Sequence, residues 1–401
     1  MPISIRRGAH LVAAVTLALV TAATSTATAE PTEAPTDPPA ASSGLRLELL
    51  QPDPAQADAY AQAGIDQVTL ELGWDAFEPA PGVLNTTYLD QRLAEARTYQ
   101  AAGIQVVLDL GLQYPPPWVW DLPGGTRFVN QFGDTWHGGV GTDALNAVWN
   151  TSARDAQARA IHLLARYTRD VTFAAVRVGG LLSGELRLPP STYNGHNGSL
   201  WGFDASAANS SPLPHYRPGI GTRAQARTWI TWYLASLTNY ETWLTRTVHR
   251  AFPSADLGVL LPGWGLRPGD VNSSINANLT QQSVAALGDS LSSAVDWARQ
   301  VNALGRSGLP VVLTTTWLDA PSYGTSTSDQ APVEYLVQLA KPWSLPVTGE
   351  NTGGGGAAAL QRTFAQATRL GLQQVTWMPA ATLHTGPVTL TDLTTAADYV
   401  G

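Results

Sequence analysis

The sequence predicts a single (β/α)8 barrel on three observations. Eight short apolar runs recur between residues 44 and 401, each followed by a longer amphipathic or loop-rich stretch. That is the pattern of a parallel sheet with both faces covered. Helical patterns stop at glycine and feed straight into the next run, as at Ala63-Gly64-Ile65, Ala102-Gly103-Ile104 and Leu370-Gly371-Leu372, where glycine closes a helix at little steric cost. The residues richest in chemistry follow the runs, as they do at the C-terminal face of a barrel. A doubly wound open sheet is the alternative, but no Gly-rich phosphate loop follows the first run.

In chain order, the first element is an address. Arg6 and Arg7 form a basic n-region, Leu11 to Val20 an apolar h-region, and Ala27-Thr28-Ala29 a small-residue cleavage pattern. Residues 1–29 therefore read as a signal peptide, too short in its apolar part to span a bilayer as a helix. Residues 30–43, rich in Pro, Thr and Ala, have too few apolar side chains to pack and read as a flexible linker. The expectation is a secreted, extracellular bacterial protein, with no membrane association after cleavage, whose residues 44–401 form one catalytic domain and a monomer.

The predicted strands are 45–50, 67–72, 105–110, 173–178, 257–261, 309–314, 345–348 and 374–378. Between them the helical patterns cover 87–102, 153–167, 223–251, 290–304, 332–339 and 357–370. Asn85-Thr86 and Ser152 supply start signals for the first two. Residues 193–221, rich in Asn, Ser, Gly and Pro, form a long insertion after strand four. Loops of this length in a compact domain are usually functional, and the insertion reads as a lid or subsite wall with Trp201, Phe203 and Tyr216 as sugar contacts.

Composition narrows the partners. The chain has no cysteine, so neither a disulfide framework nor a thiolate metal site is available. A net charge of −8 with 13% charged residues argues against nucleic acid or an anionic membrane as partner. Histidines 137, 162, 196, 215, 249 and 384 show none of the close pairings of a zinc site, and no metal or cofactor is expected. Ser183-Gly184 lacks the surrounding glycines of an esterase elbow.

Two segments carry the strongest chemistry: Gly184-Glu185-Leu186-Arg187-Leu188-Pro189 and Thr348-Gly349-Glu350-Asn351-Thr352-Gly353. Each puts a glutamate just past an apolar run, at strands four and seven. Two carboxylates at the ends of separate strands suit glycoside hydrolysis: one protonates the leaving oxygen, and the other attacks the anomeric carbon or activates water. The plain alternative is a pair of surface glutamates at strand ends. Aromatic residues crowd the same ends. Tryptophan occurs 14 times, and Trp74, Trp118, Trp264, Trp317 and Trp377 all follow or close strands. They read as faces on which sugars stack, with Trp377 as the floor between the two glutamates. Asp109, at the end of strand three, completes the expected substrate-binding set from the residues themselves.

The first segment resembles the Gly-x-Ser/Ala-Gly-Glu-Leu-Arg-Tyr-Pro signature of the β-amylases, glycoside hydrolase family 14, and Gly349-Glu350-Asn351 resembles that family's Gly-Glu-Asn. The resemblance implies Glu185 as general acid and Glu350 as general base of an inverting mechanism on starch, with Arg187 and Asn351 in support. The chain departs from the signature at Leu188 and Pro190, and residues 113–118 replace the family's loop after strand three. The order of elements is similar to the broader group of barrel glycosidases that includes family 42 β-galactosidases and family 5 cellulases. Within that group a retaining β-glycosidase with Glu350 as nucleophile is the second reading. A carbohydrate-binding pseudoenzyme, with the aromatic cleft but no turnover, is the rival from another class.

Overall fold

A computed structural model describes residues 44–139, 142–353 and 356–398; the signal-peptide and linker assignments lie outside the described residues. Eight parallel strands close into a barrel in sequence order: β1 (Arg46–Leu50), β2 (Gln67–Glu71), β3 (Gln105–Asp109), β4 (Ala175–Val178), β5 (Asp256–Leu261), β6 (Val311–Thr315), β7 (Val347–Glu350) and β8 (Gln374–Trp377). β1 closes the ring against β8, with Glu48 opposite Thr376 and Leu49 opposite Trp377.

The strands form because one face of each is apolar and has a helix layer to cover it. Leu47, Leu49, Val176, Val178, Leu257, Val259, Leu313, Val347 and Val375 are all buried in one core shared with helix residues. Removing such surface from water stabilises the layer by roughly 25 cal/mol per Å². Alternation sends the other face into the lumen, and here the barrel departs from the usual filling by branched apolar residues. Glu48 accepts hydrogen bonds from Thr69 Oγ1, from Gln374 Nε2 at 2.6 Å and from Thr376 Oγ1 at 2.7 Å. Thr314 and Thr348 share a bond at 3.0 Å. A buried carboxylate in this lumen is tolerated because its oxygens have donors.

Helix starts follow side-chain caps. Asn85 accepts from the Tyr88 amide and opens Thr86–Ala101. Asn150, rather than the expected Ser152, accepts from Ala153 and opens Thr151–Tyr167. The single helix expected over 290–304 is two, Gln281–Ser292 and Trp297–Gly305. The break falls at Ala294, whose φ is 59°, and Asp296 caps the second helix by accepting from the Arg299 amide. Asp296 was thus a start signal inside an otherwise continuous pattern.

The long insertion is not a free lid. Its Trp201 is buried, with its amide donating to Tyr233 and its indole Nε1 to the Pro190 carbonyl. Phe203 stacks on Trp229 of the Arg223–Ala251 helix at 5.2 Å, and Tyr216 packs at a tilt against the same ring at 5.7 Å. These three aromatic side chains, expected as sugar contacts, instead fasten the insertion to the barrel wall.

Candidate active site

Glu185 leaves β4 through a tight turn. Gly184 adopts φ 77°, and the Glu185 amide donates back to the Leu182 carbonyl at 3.1 Å. A Cβ at Gly184 would also lie 3.2 Å from the Gln113 amide nitrogen. Glycine is therefore required before the glutamate both for its left-handed backbone and for its fit against the β3 loop. Glu350 closes β7 after Gly349, where a Cβ would come within 2.9 Å of both Leu318 and Thr315. Each glycine lets its strand end approach a neighbour closely enough to aim the next carboxylate inward.

The two carboxylates have different partners. Glu350, with its side chain 7% exposed, accepts from Arg177 Nη2 at 2.9 Å. Arg177 belongs to β4 and reaches across the lumen; its Nε also lies 3.6 Å from Asp109 Oδ2. Glu185 lies near Arg187, Nη1 to Oε2 at 3.8 Å, and Arg187 spends its Nη2 on Asp289 at 2.9 Å. The Thr316 hydroxyl lies beside the Glu185 carboxyl without a closed hydrogen bond. Burial pushes the Glu185 pKa up, and the negative charge of Glu350 adds to the rise against the opposing influence of Arg187. Burial also raises Glu350, helped by the charges of Glu48 and Asp109 and only partly offset by the charge and hydrogen bond of Arg177. The cation bonded to Glu350 makes it the member of the pair better suited to remain ionised.

A third carboxyl stands at the same mouth. Glu71, at the end of β2, accepts from the Tyr114 hydroxyl at 3.0 Å. Burial and the neighbouring charge of Asp109 push its pKa up to about 7. Asp109 accepts from the Gly111 amide at 2.9 Å. Glu71, Asp109 and Glu350 thus all lie within electrostatic reach of one buried cation, Arg177.

The other expected residues divide. Arg187 and Asp109 stand with the glutamates. Asn351 does not offer its amide to a ligand: Nδ2 donates to the Met378 carbonyl at 2.9 Å and Oδ1 accepts from the Met378 amide at 2.6 Å. Its role is to tie β7 to β8. Trp74 is fully buried, with its indole donating to Glu78 at 2.7 Å. Trp377 is 1% exposed and shares the outward strand face of Val375, so it lies in the helix–strand layer and not on the cleft floor. Trp118 is half-buried, packed edge-on against Trp74 at 5.8 Å. Trp264 and Trp317 are half-buried on the loops after β5 and β6. Neither Arg177 nor Glu71 was among the expected site residues. The signal for Arg177 was a charge in the middle of an apolar strand, Ala175-Val176-Arg177-Val178.

A cavity of about 230 Å³ extends through the lumen toward the strand starts, lined by Arg46, Glu48, Gln67, Arg177 and Asp256 among others. Its lining runs from strand starts such as Arg46, Gln67 and Gln105 to the mid-lumen residues Glu48, Arg177, Thr314 and Thr348.

The fold is shared with solved barrel enzymes. The catalytic domain of β-amylase from Paenibacillus polymyxa superposes with a TM-score of 0.69 at 15% identity, over 90% of this chain and 98% of its own. The β-galactosidases of the psychrophilic Marinomonas ef1 and the Antarctic haloarchaeon Halorubrum lacusprofundi superpose with TM-scores of 0.55 and 0.56, each at 14% identity and over 89% of this chain. The chain spans 59% and 58% of the length of those two. At such identities the likeness shows a single (β/α)8 domain. No protein-family model matches the chain, and no curated protein does.

Proposed function

We propose that this chain is a secreted glycoside hydrolase in which Glu185 is the general acid and Glu350 the general base. The observation that carries this reading is the contrast between the two glutamates at the ends of β4 and β7. Both are buried, but Glu185 has its Arg187 partner at 3.8 Å, whereas Glu350 is hydrogen-bonded to the buried Arg177 at 2.9 Å. Burial raises the pKa of both, and the hydrogen-bonded cation on Glu350 is the difference that favours it as the ionised base and Glu185 as the acid. The surrounding carboxylates add a fitting electrostatic feature, because glycoside cleavage passes through an oxocarbenium-like, positively charged transition state. The structural likeness to a β-amylase domain and to β-galactosidases supports the same reaction class, and the export signature at residues 1–29 supports secretion.

The Gly184-Glu185-Leu186-Arg187 and Gly349-Glu350-Asn351 motifs favour a β-amylase-like, inverting reaction. The likeness to β-galactosidases favours the second reading, retention with Glu350 as nucleophile. A panel of aryl glycosides and soluble polysaccharides tests the class, and hydrolysis of at least one is expected. Following the first-formed product by proton NMR separates the two mechanisms, since inversion releases the opposite anomer. Sugar binding without turnover on every substrate would leave the pseudoenzyme reading instead.

A further inference from the structure

The loops after β5 and β6 lie, around the barrel, between those that carry Glu185 and Glu350. Among the described residues, this sector holds an aromatic side chain that protrudes into water and is nevertheless firmly built. Tyr323 is 75% exposed. Its ring stacks on Trp264 with centroids 5.6 Å apart and planes at 26°. The Arg267 guanidinium lies 5.6 Å from the centroid of Trp264 and 4.1 Å from that of Tyr335. Tyr335 in turn stacks on the buried Trp297 at 6.2 Å. The five side chains make a continuous column from the core to the solvent.

The column is braced at both ends. Arg267 is buried; its Nη2 donates to the Gln330 carbonyl at 3.0 Å, and among the described residues its Nε and Nη1 have no hydrogen-bond partner. Aromatic faces therefore supply much of its surroundings, and cation–π attraction in a desolvated setting fixes the stack. The loop that presents Tyr323 is closed by the Tyr323 amide donating to the Asp329 carbonyl at 2.8 Å and by Ser322 Oγ donating to Glu334 at 2.6 Å. A ring left three-quarters in water contributes little to folding by burial. Ordering it on a braced loop makes sense if something covers it.

The chemistry of such a face is specific. A flat ring presents a negative π-surface, which suits the apolar C–H face of a pyranose while the sugar hydroxyls stay in water. We propose that Tyr323, backed by Trp264, is an accessory carbohydrate subsite that stacks a pyranose unit of an oligo- or polysaccharide beyond the cleaved bond. The substrate is then a chain of sugars and not a small glycoside. This rests on the glycosidase reading for its link to catalysis, but the stacking can be tested without it.

The test is affinity electrophoresis of the full chain carrying Glu185→Gln, through native gels containing soluble starch, β-1,4-galactan or β-1,4-mannan. At least one gel should retard it. Adding Tyr323→Ala should weaken that retardation by about tenfold, the loss of one good stacking contact, whereas adding Tyr323→Phe should preserve it. Unchanged retardation with Tyr323→Ala, or no retardation in any gel, would overturn the subsite. A surface that instead binds a protein would appear as this second outcome. Failure of the wild-type chain to cleave any glycoside would refute the catalytic reading separately, and leave a polysaccharide shift that depends on Tyr323 standing on its own.

Discussion

Arg177 is the residue on which the acid–base division depends. It sits 9% exposed in the lumen, bonded to Glu350 and near Asp109, and its charge is what opposes the burial-driven rise in the Glu350 pKa. Replacing it by Gln should therefore raise the Glu350 pKa and move the acidic limb of the kcat/KM profile to higher pH. Arg177→Lys should restore part of the shift by restoring the charge. Leaving carboxylates buried without their cation should also cost about 3–5 kcal/mol in stability. A pH profile that keeps its acidic limb in Arg177→Gln would show that the cation does not hold Glu350 ionised. The alkaline limb belongs to Glu185, whose raised pKa keeps it protonated further into the working range, and activity should fall as pH rises through it.

At the scale of elements, the site depends on how the ends of β6, β7 and β8 are tied. The Thr352 amide and hydroxyl both donate to Asp319, each at 2.9 Å, while Asn351 holds the Met378 backbone. Glu350 lies between these clamps. Asn351→Ala should lower kcat by disturbing Glu350 and cost roughly 1–3 kcal/mol through the unpaired Met378 groups. Trp377→Ala should behave differently: a destabilisation of about 3–5 kcal/mol from its core position, with kcat/KM per folded molecule unchanged. Melting temperature and kinetics of the two variants separate a positioning residue from a packing residue. The eight strands were legible because each carries an apolar face. Trp377 was misplaced because a tryptophan at a strand end looks the same from either face until the register with β1 is known. Arg177 was missed for a related reason: a lone charge in a strand declares its purpose only when Glu350, 173 residues away, closes over it.

Over the whole molecule, stability should depend on pH through a group far from the site. Glu241 of the Arg223–Ala251 helix is fully buried and accepts from Gln300 Nε2 at 2.7 Å, and burial raises its pKa from 4.5 to about 8. The folded state therefore binds a proton that the unfolded chain releases. Stability is fully supported below the unfolded value and is lost progressively as pH rises toward the folded one, by an amount on the order of a few kcal/mol. Glu241→Gln should flatten the fall in melting temperature between pH 5 and pH 8, as read by calorimetry. An unchanged slope would place the pH dependence elsewhere. The same scale explains why the two glutamate motifs were readable and the lumen was not. A Gly-Glu turn is local, whereas a polar barrel interior is assembled from side chains of all eight strands.

The most direct test compares Glu185→Gln and Glu350→Gln on a matched pair of glycosides, one with a poor leaving group and one with 2,4-dinitrophenolate. With the poor leaving group both variants should lose on the order of 10²–10⁴ in kcat/KM. The activated substrate, which needs no proton, should bring Glu185→Gln back toward the wild-type rate and leave Glu350→Gln inactive. Equal rescue of both, or wild-type rates in either variant on the poor leaving group, would contradict the assignment of acid and base to these two residues.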